Sequence, residues 1–299
     1  MASHRFKLLL AATLLGYAAI PLAAQSDYSP DIAGWRKIPL PPGGNSERVI
    51  SLFAPDYATI SWRVYLAITT PEAKPTAPTG RRHDPEPFPA KADGFEGANR
   101  FKQVDDGWLV GFDHGEFGGA LYWFSRDGAQ HYFLTDAHVV DFFSLPDGIY
   151  AIEGLNHMEV SCGSVIRIAR QTPAARWSAS TVVNLPQAPD TMAVRRDGTL
   201  LIVLSDSLVS VGADHQINTL IANAPWSRLY PTSSILLPDE SRLYIGMRQF
   251  VGEVDLATNQ LHFLLPSASK VYATSDWRQP TDFCERMRNS TKGVSKKDN

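Results

Sequence analysis

Between residues 100 and 266 the apolar positions fall in short runs, each broken by Gly, Pro, Asp or Asn, and the runs come in sets. Four stretches align: FKQVDDGWLVGF (101–112), FFSLPDGIYAIEGL (142–155), MAVRRDGTLLIVL (192–204) and SILLPDESRLYIGM (234–247). Each reads as an apolar strand, a tight turn and a second strand. The turns start at Asp106, Asp147, Asp197 and Asp239, at spacings of 41, 50 and 42 residues. Asp-Gly supplies the backbone dihedrals of a tight hairpin. A third strand follows in each set (ALYWFSR, SVIRIAR, LVSVGA, VGEVDL), and a fourth after it (HYFLTD, TVVNL, INTLIA, LHFLLP).

Four strands in a period of 40–50 residues resemble the blade of a β-propeller, in particular the bacterial exported propellers built from Asp-Gly hairpin repeats. The resemblance implies an all-β disc in which each twisted sheet covers its neighbour. Five four-stranded blades are expected, with six as the alternative count. The segments 48–55 and 59–68 read as strands, and 270–277 as one more. Residues 25–70 would then close the ring with the C-terminal strands, and the blades would occupy 100–277. The stretch 71–99 is Pro-rich and polar and reads as an inserted loop. Residues 278–299 read as a short helix followed by a disordered tail.

The N-terminus adds a compartment. Arg5 and Lys7 precede an apolar run from Leu8 to Ile20, and Ala23 and Ala24 follow it. That is the form of a secretory signal peptide, residues 1–24, and the run is too short to span a bilayer. Its removal takes the net charge from -3 to -5. No basic stripe with interleaved aromatics argues for nucleic acid. In an exported chain (periplasmic or secreted) the two cysteines, Cys162 and Cys284, suggest one disulfide. It would close a loop of about 120 residues, with a chain-entropy contribution of roughly 4–5 kcal/mol.

Blade geometry sorts the polar residues. Turns between first and second strands lie on one face of the disc. Loops between second and third strands, and connections between blades, lie on the other. That second face collects DHGEFGG, with Asp113, His114 and Glu116; NHMEVSCG, with Asn156, His157 and Glu159; and TDAHVVD, with Asp136 and His138. Asp190, Asp206, Trp226, Arg228, Tyr230 and Arg248 belong to the same face. Loops on a rigid scaffold are where binding residues concentrate. The chain has no nucleophile elbow, no phosphate-cradling Gly loop, no HExxH and no CxxC.

The expected function is a monomeric binding module for a small molecule, glycan or protein partner. Docking is assigned to His114, Glu116, Asp136, His138, His157, Glu159, Trp226 and Arg228. No cofactor is expected. The alternative is a metal-assisted hydrolase or lactonase-like enzyme on the same face. A divalent ion would there be held by His114, His138, His157 and Glu116, since imidazole and carboxylate together suit Zn, Mn or Fe.

Overall fold

The structure is a computed structural model and describes residues 32–38, 61–69, 72–76, 86–158 and 160–267. The signal segment, the strands expected at 48–55 and 270–277, the C-terminal helix and tail, Glu159 and Cys284 lie outside the described residues.

Strand β1 (Arg36–Ile38) comes first, followed by the hairpin β2 (Tyr65–Thr69) and β3 (Glu72–Thr76), then a small hairpin of β4 (Lys91–Ala92) and β5 (Phe95–Glu96). The first complete blade is β6 (Arg100–Gln103), β7 (Gly107–Asp113), β8 (Gly119–Ser125) and β9 (His131–Asp136). The second is β10 (Val139–Leu145), β11 (Gly148–His157), β12 (Val160–Ala169) and β13 (Ser178–Leu185). The third is β14 (Pro189–Val194), β15 (Leu200–Leu204), β16 (Leu208–Val211) and β17 (Ile217–Ile221). The fourth is β18 (Ser233–Leu236), β19 (Arg242–Gly246), β20 (Val251–Asp255) and β21 (Gln260–Leu265). Within every blade, sequential strands pair antiparallel.

The leading strands of the blades touch one another in order: β6 against β10, β10 against β14, β14 against β18, and β18 against β2. Five innermost strands therefore surround one axis, with the β2–β3 hairpin in the fifth position. This is a five-bladed β-propeller. The N-terminal β1 pairs with the outermost strand of the fourth blade, Arg36 opposite Leu265 and Ile38 opposite Phe263. Strands from distant parts of the chain thus share one sheet.

The hairpin turns hold by local chemistry. Asp197 Oδ1 accepts the Thr199 amide at 2.9 Å, and Asp239 Oδ1 accepts the Ser241 amide at 3.0 Å. These hydrogen bonds hold both carboxyls below the usual aspartate value. Gly198 follows its aspartate at φ +86°; in the fourth repeat, which lacks the glycine, Glu240 takes φ 58° instead.

The core lies between blades. Every residue of β15, Leu200–Leu204, is buried, because one side chain in two faces the second blade and the next faces the fourth. Leu109, Leu121, Val139, Ala151, Ile166 and Ile168 fill the space between the first and second blades.

Two expectations change. The 71–99 stretch is not wholly a loop. It contains β3, in which Pro75 is tolerated because, among the described residues, β3 pairs on one side alone, with β2. It also contains the β4–β5 hairpin, which covers the outside of the first blade. Tyr122 Oη donates to Asp93 Oδ2 at 2.8 Å, and Phe88 and Phe95 pack on Phe124 and Phe112. NHMEVSCG is not a loop either. Strands β11 and β12 continue through it, with Asn156 opposite Ser161 and His157 opposite Val160, and Met158 follows His157 at φ 51°.

Candidate functional site: the inter-blade face and the axial mouth

Between β7 and β8 the chain makes a 3-10 turn, Gly115–Phe117. Asp113, the last residue of β7, organises what surrounds it. Its Oδ1 accepts the Gly115 amide at 3.0 Å and His138 Nδ1–H at 2.9 Å. His138 leads into β10, so this bond joins the first blade to the second. Gly119 makes room for it, since a Cβ there would come within 2.7 Å of His138 Nδ1 and 2.8 Å of the Ala137 carbonyl oxygen. His114 turns the other way. Its Nε2 lies 2.8 Å from the Glu96 carbonyl, an acceptor, so Nε2 carries the proton. The ring also packs on Phe95, with centroids 5.2 Å apart.

Glu116 reaches the second blade. Its Oε2 lies 2.7 Å from His157 Nε2, an ion-pair distance without the alignment of a hydrogen bond. The contact holds the 3-10 turn against the projecting end of the β11–β12 hairpin. Three apolar side chains stand in solvent around it: Phe117 at 83% exposure, Met158 at 89% and Val160 at 51%. Tyr230, between the third and fourth blades, is 61% exposed on the same face.

The residues assigned from sequence thus separate into pairs. Asp113 holds His138, Glu116 meets His157, and His114 is tied to the β5 backbone. Asp136 lies apart, lining a cavity of about 110 Å³ with Glu153, Ser164 and Thr181 between the first two blades. Trp226 is not on the face at all. It is 0% exposed and donates its indole N–H to the Leu204 carbonyl at 2.9 Å, so it is a core anchor between the third and fourth blades. Arg228, two residues later, is exposed. Among the described residues, no three His, Cys, Asp or Glu side chains gather as a metal would require. Cys162 is exposed and forms no disulfide among the described residues.

A second polar group was missed from the loops. Six residues before the turn aspartates stand Arg100, Asp141, Thr191 and Ser233, one on each innermost strand. Of these, Asp141 and Arg100 come together electrostatically, and Arg63, just before β2, joins them from the fifth position. Arg100 Nε donates to the Val140 carbonyl at 2.5 Å, crossing from the first blade to the second. Burial pushes the Asp141 carboxyl up, and the charges of Arg100, Arg63 and Lys102 oppose it. The Asp141 residue is exposed, so solvent moderates this upward displacement. Asp190 is pushed up to about 7 by burial with no charge opposing it. The repeat alignment carries this signal, but only when read from the turn backwards.

Among solved structures the fold is similar to a gluconolactonase from Xanthomonas campestris, at 13% identity and TM-score 0.41, over 60% of this chain and 61% of that one. It is also similar to a streptogramin B lyase, at 16% identity and TM-score 0.40, over 60% and 57%. A third is a protein from Lactobacillus plantarum, at 10% identity and TM-score 0.38, over 74% and 70%. The chain matches less than two thirds of the length of the first two. No protein-family model matches the chain, and no curated protein matches it in sequence.

Proposed function

We propose that the protein is an exported propeller that works as a binding module for a protein partner, docking on the rim formed by the 3-10 turn and the β11–β12 hairpin. The observation that carries this reading is the exposed trio Phe117, Met158 and Val160. Single exposed apolar residues are ordinary, but three on one projecting edge are not. Large apolar anchors supply most of the energy in protein interfaces, and charged neighbours set orientation. Glu116 and His157 take the second role, and Arg228 and Tyr230 extend the surface around the disc. Export rests on the N-terminal sequence. The hydrolase alternative asks three of the His and carboxylate groups to share one point, and those described pair off instead.

The test is affinity capture from an envelope extract with the mature protein and with a Phe117→Ser/Met158→Ser double variant. Both residues are exposed, so the variant should keep its melting temperature. A partner retained by the parent and lost by the variant supports the reading. Equal capture by both, or capture by neither, removes it.

A further inference from the structure

The second and third blades part from one another at the turn face, and a cleft of about 240 Å³ opens between them. Val165 on β12 and Val182 and Val183 on β13 line one side, and Leu200 on β15 and Val211 on β16 line the other. All five belong to the apolar cluster that joins the two blades. Four of them are valines, whose short side chains leave the gap open. The rim is polar and comes from three turns. Asp147 stands in the β10–β11 turn, Asp197 and Gly198 in the β14–β15 turn, and His215 in the β16–β17 turn. Gly198, at φ +86°, brings its backbone to the rim with no side chain to cover the opening. Asp147 Oδ2 accepts the Tyr150 hydroxyl at 2.6 Å and lies 3.9 Å from Arg167 Nε. No hydrogen bond or ion pair to Asp147 Oδ1 occurs among the described residues. The Tyr150 hydrogen bond holds this carboxyl below the usual aspartate value, so it is charged at neutral pH.

We propose that this cleft binds a small neutral molecule of the phenol class, its ring between the two blades and its hydroxyl donating to the Asp147 carboxylate. Size sets the first limit. An apolar cavity of about 150 Å³ takes benzene, so about 240 Å³ takes one ring and a short substituent. Shape sets the second, because the faces of two packed sheets bound a slot, which suits a flat ring. Polarity sets the third. Valine and leucine walls offer no partners to a body rich in hydroxyls, which would lose its water uncompensated. Charge sets the last. Arg167 and His215 lie by Asp147, and Arg195 lies by Asp197, so neither a cationic nor an anionic head finds an uncompensated charge at the rim. A hydroxyl needs only an acceptor, and an O–H bond to a carboxylate is among the stronger hydrogen bonds. Asp147 Oδ1 has the acceptor capacity left for it. Few polar groups at the edge of an apolar pocket are the usual means of orienting such a ligand.

The cleft opens on the face opposite Phe117 and Met158, so it is tested without them, and a small molecule in it adds no macromolecular partner to the turn face. The experiment is titration of the isotope-labelled mature protein near neutral pH, followed through its amide chemical shifts. The probes are p-cresol, toluene as a ring without a donor, and benzylammonium and benzoate as charged rings. The same titrations are run on Asp147→Asn, which keeps the side-chain shape in a turn that asparagine suits. A melting curve for the variant, expected to match that of the parent, separates lost binding from lost folding. Saturable binding of p-cresol is expected, with a Kd of about 1 mM or tighter and the largest shifts at Val182, Gly198 and Val211. Asp147→Asn should weaken p-cresol about three- to tenfold and leave toluene unchanged, and both charged rings should bind more weakly than p-cresol. Absence of saturable binding, shifts centred away from the cleft, the same change for p-cresol and toluene in Asp147→Asn, or tighter binding of either charged ring would overturn the proposal.

Discussion

Replacing Asp106 by Asn tests how neighbouring blades are locked at the turn face. Asp106 Oδ1 accepts the indole N–H of Trp123 from its own blade at 3.1 Å and that of Trp177 from the second blade at 3.1 Å. Its Oδ2 accepts Arg170 Nη1 at 2.8 Å, and Arg170 lies over the Trp177 ring, 4.7 Å from its centroid. Burial pushes the Asp106 carboxyl up, but hydrogen bonds from Trp177 and Trp123 and the charge of Arg170 outweigh it, and the net displacement is downward. Hydrogen bonds to a charged group contribute about 1.5–3 kcal/mol each when dry. The Asp106 side chain is 38% exposed, so water screens part of that. Asparagine keeps one acceptor oxygen and loses the charge. A loss of about 2 kcal/mol is expected at pH 7, near 4–8 °C in melting temperature for a fold of this size. The sign with pH follows from the downward displacement. The charged form stabilises the fold above the usual value of 3.8, and that stability is lost as pH falls through the lower folded value. Urea unfolding of parent and variant across that range measures the gap. Equal stability at pH 7, or a gap undiminished in acid below 3.8, would refute the reasoning.

Asp190 should behave in the opposite sense. Its folded carboxyl is raised from 3.8 to about 7, so the folded state holds the proton more tightly than the unfolded chain and loses stability as pH climbs between those values. The full cost of ionisation is on the order of 4 kcal/mol, reduced because the side chain is only partly buried, and urea unfolding should show Asp190→Asn more stable than the parent above pH 7. Trp226→Ala should cost about 3–5 kcal/mol, while Arg228→Ala should stay within about 1 kcal/mol, as thermal unfolding of the two variants would report.

The repeat was legible because its signals are local. Asp197 and Asp239 make their own turns with residues two positions on, and the spacing of such turns carries the blade period. Where cross-strand pairing decides, local reading fails. His157 and Val160 look like loop residues among polar neighbours, yet the register of β11 with β12 carries the ladder through them. Pro75 reads as a breaker, yet β3 pairs with β2 and, among the described residues, with no second strand that would need the missing amide. Trp226 sits in a connection between blades, and nothing in the string TLIANAPWSRLY shows that its indole plugs the gap beneath β15. The axial level was hardest to see. Arg63, Arg100 and Asp141 come from three different inner positions apart in the chain, and only closure of the ring sets them together.

The central claim is that the inter-blade face, rather than the turn face, meets a partner. A photo-crosslinking amino acid at position 158, and separately at position 215 in the opposite turn between β16 and β17, tests it most directly. Irradiation in an envelope extract should give one discrete adduct from position 158 and none from position 215. The same adducts from both positions, or an adduct from position 215 alone, would contradict the account.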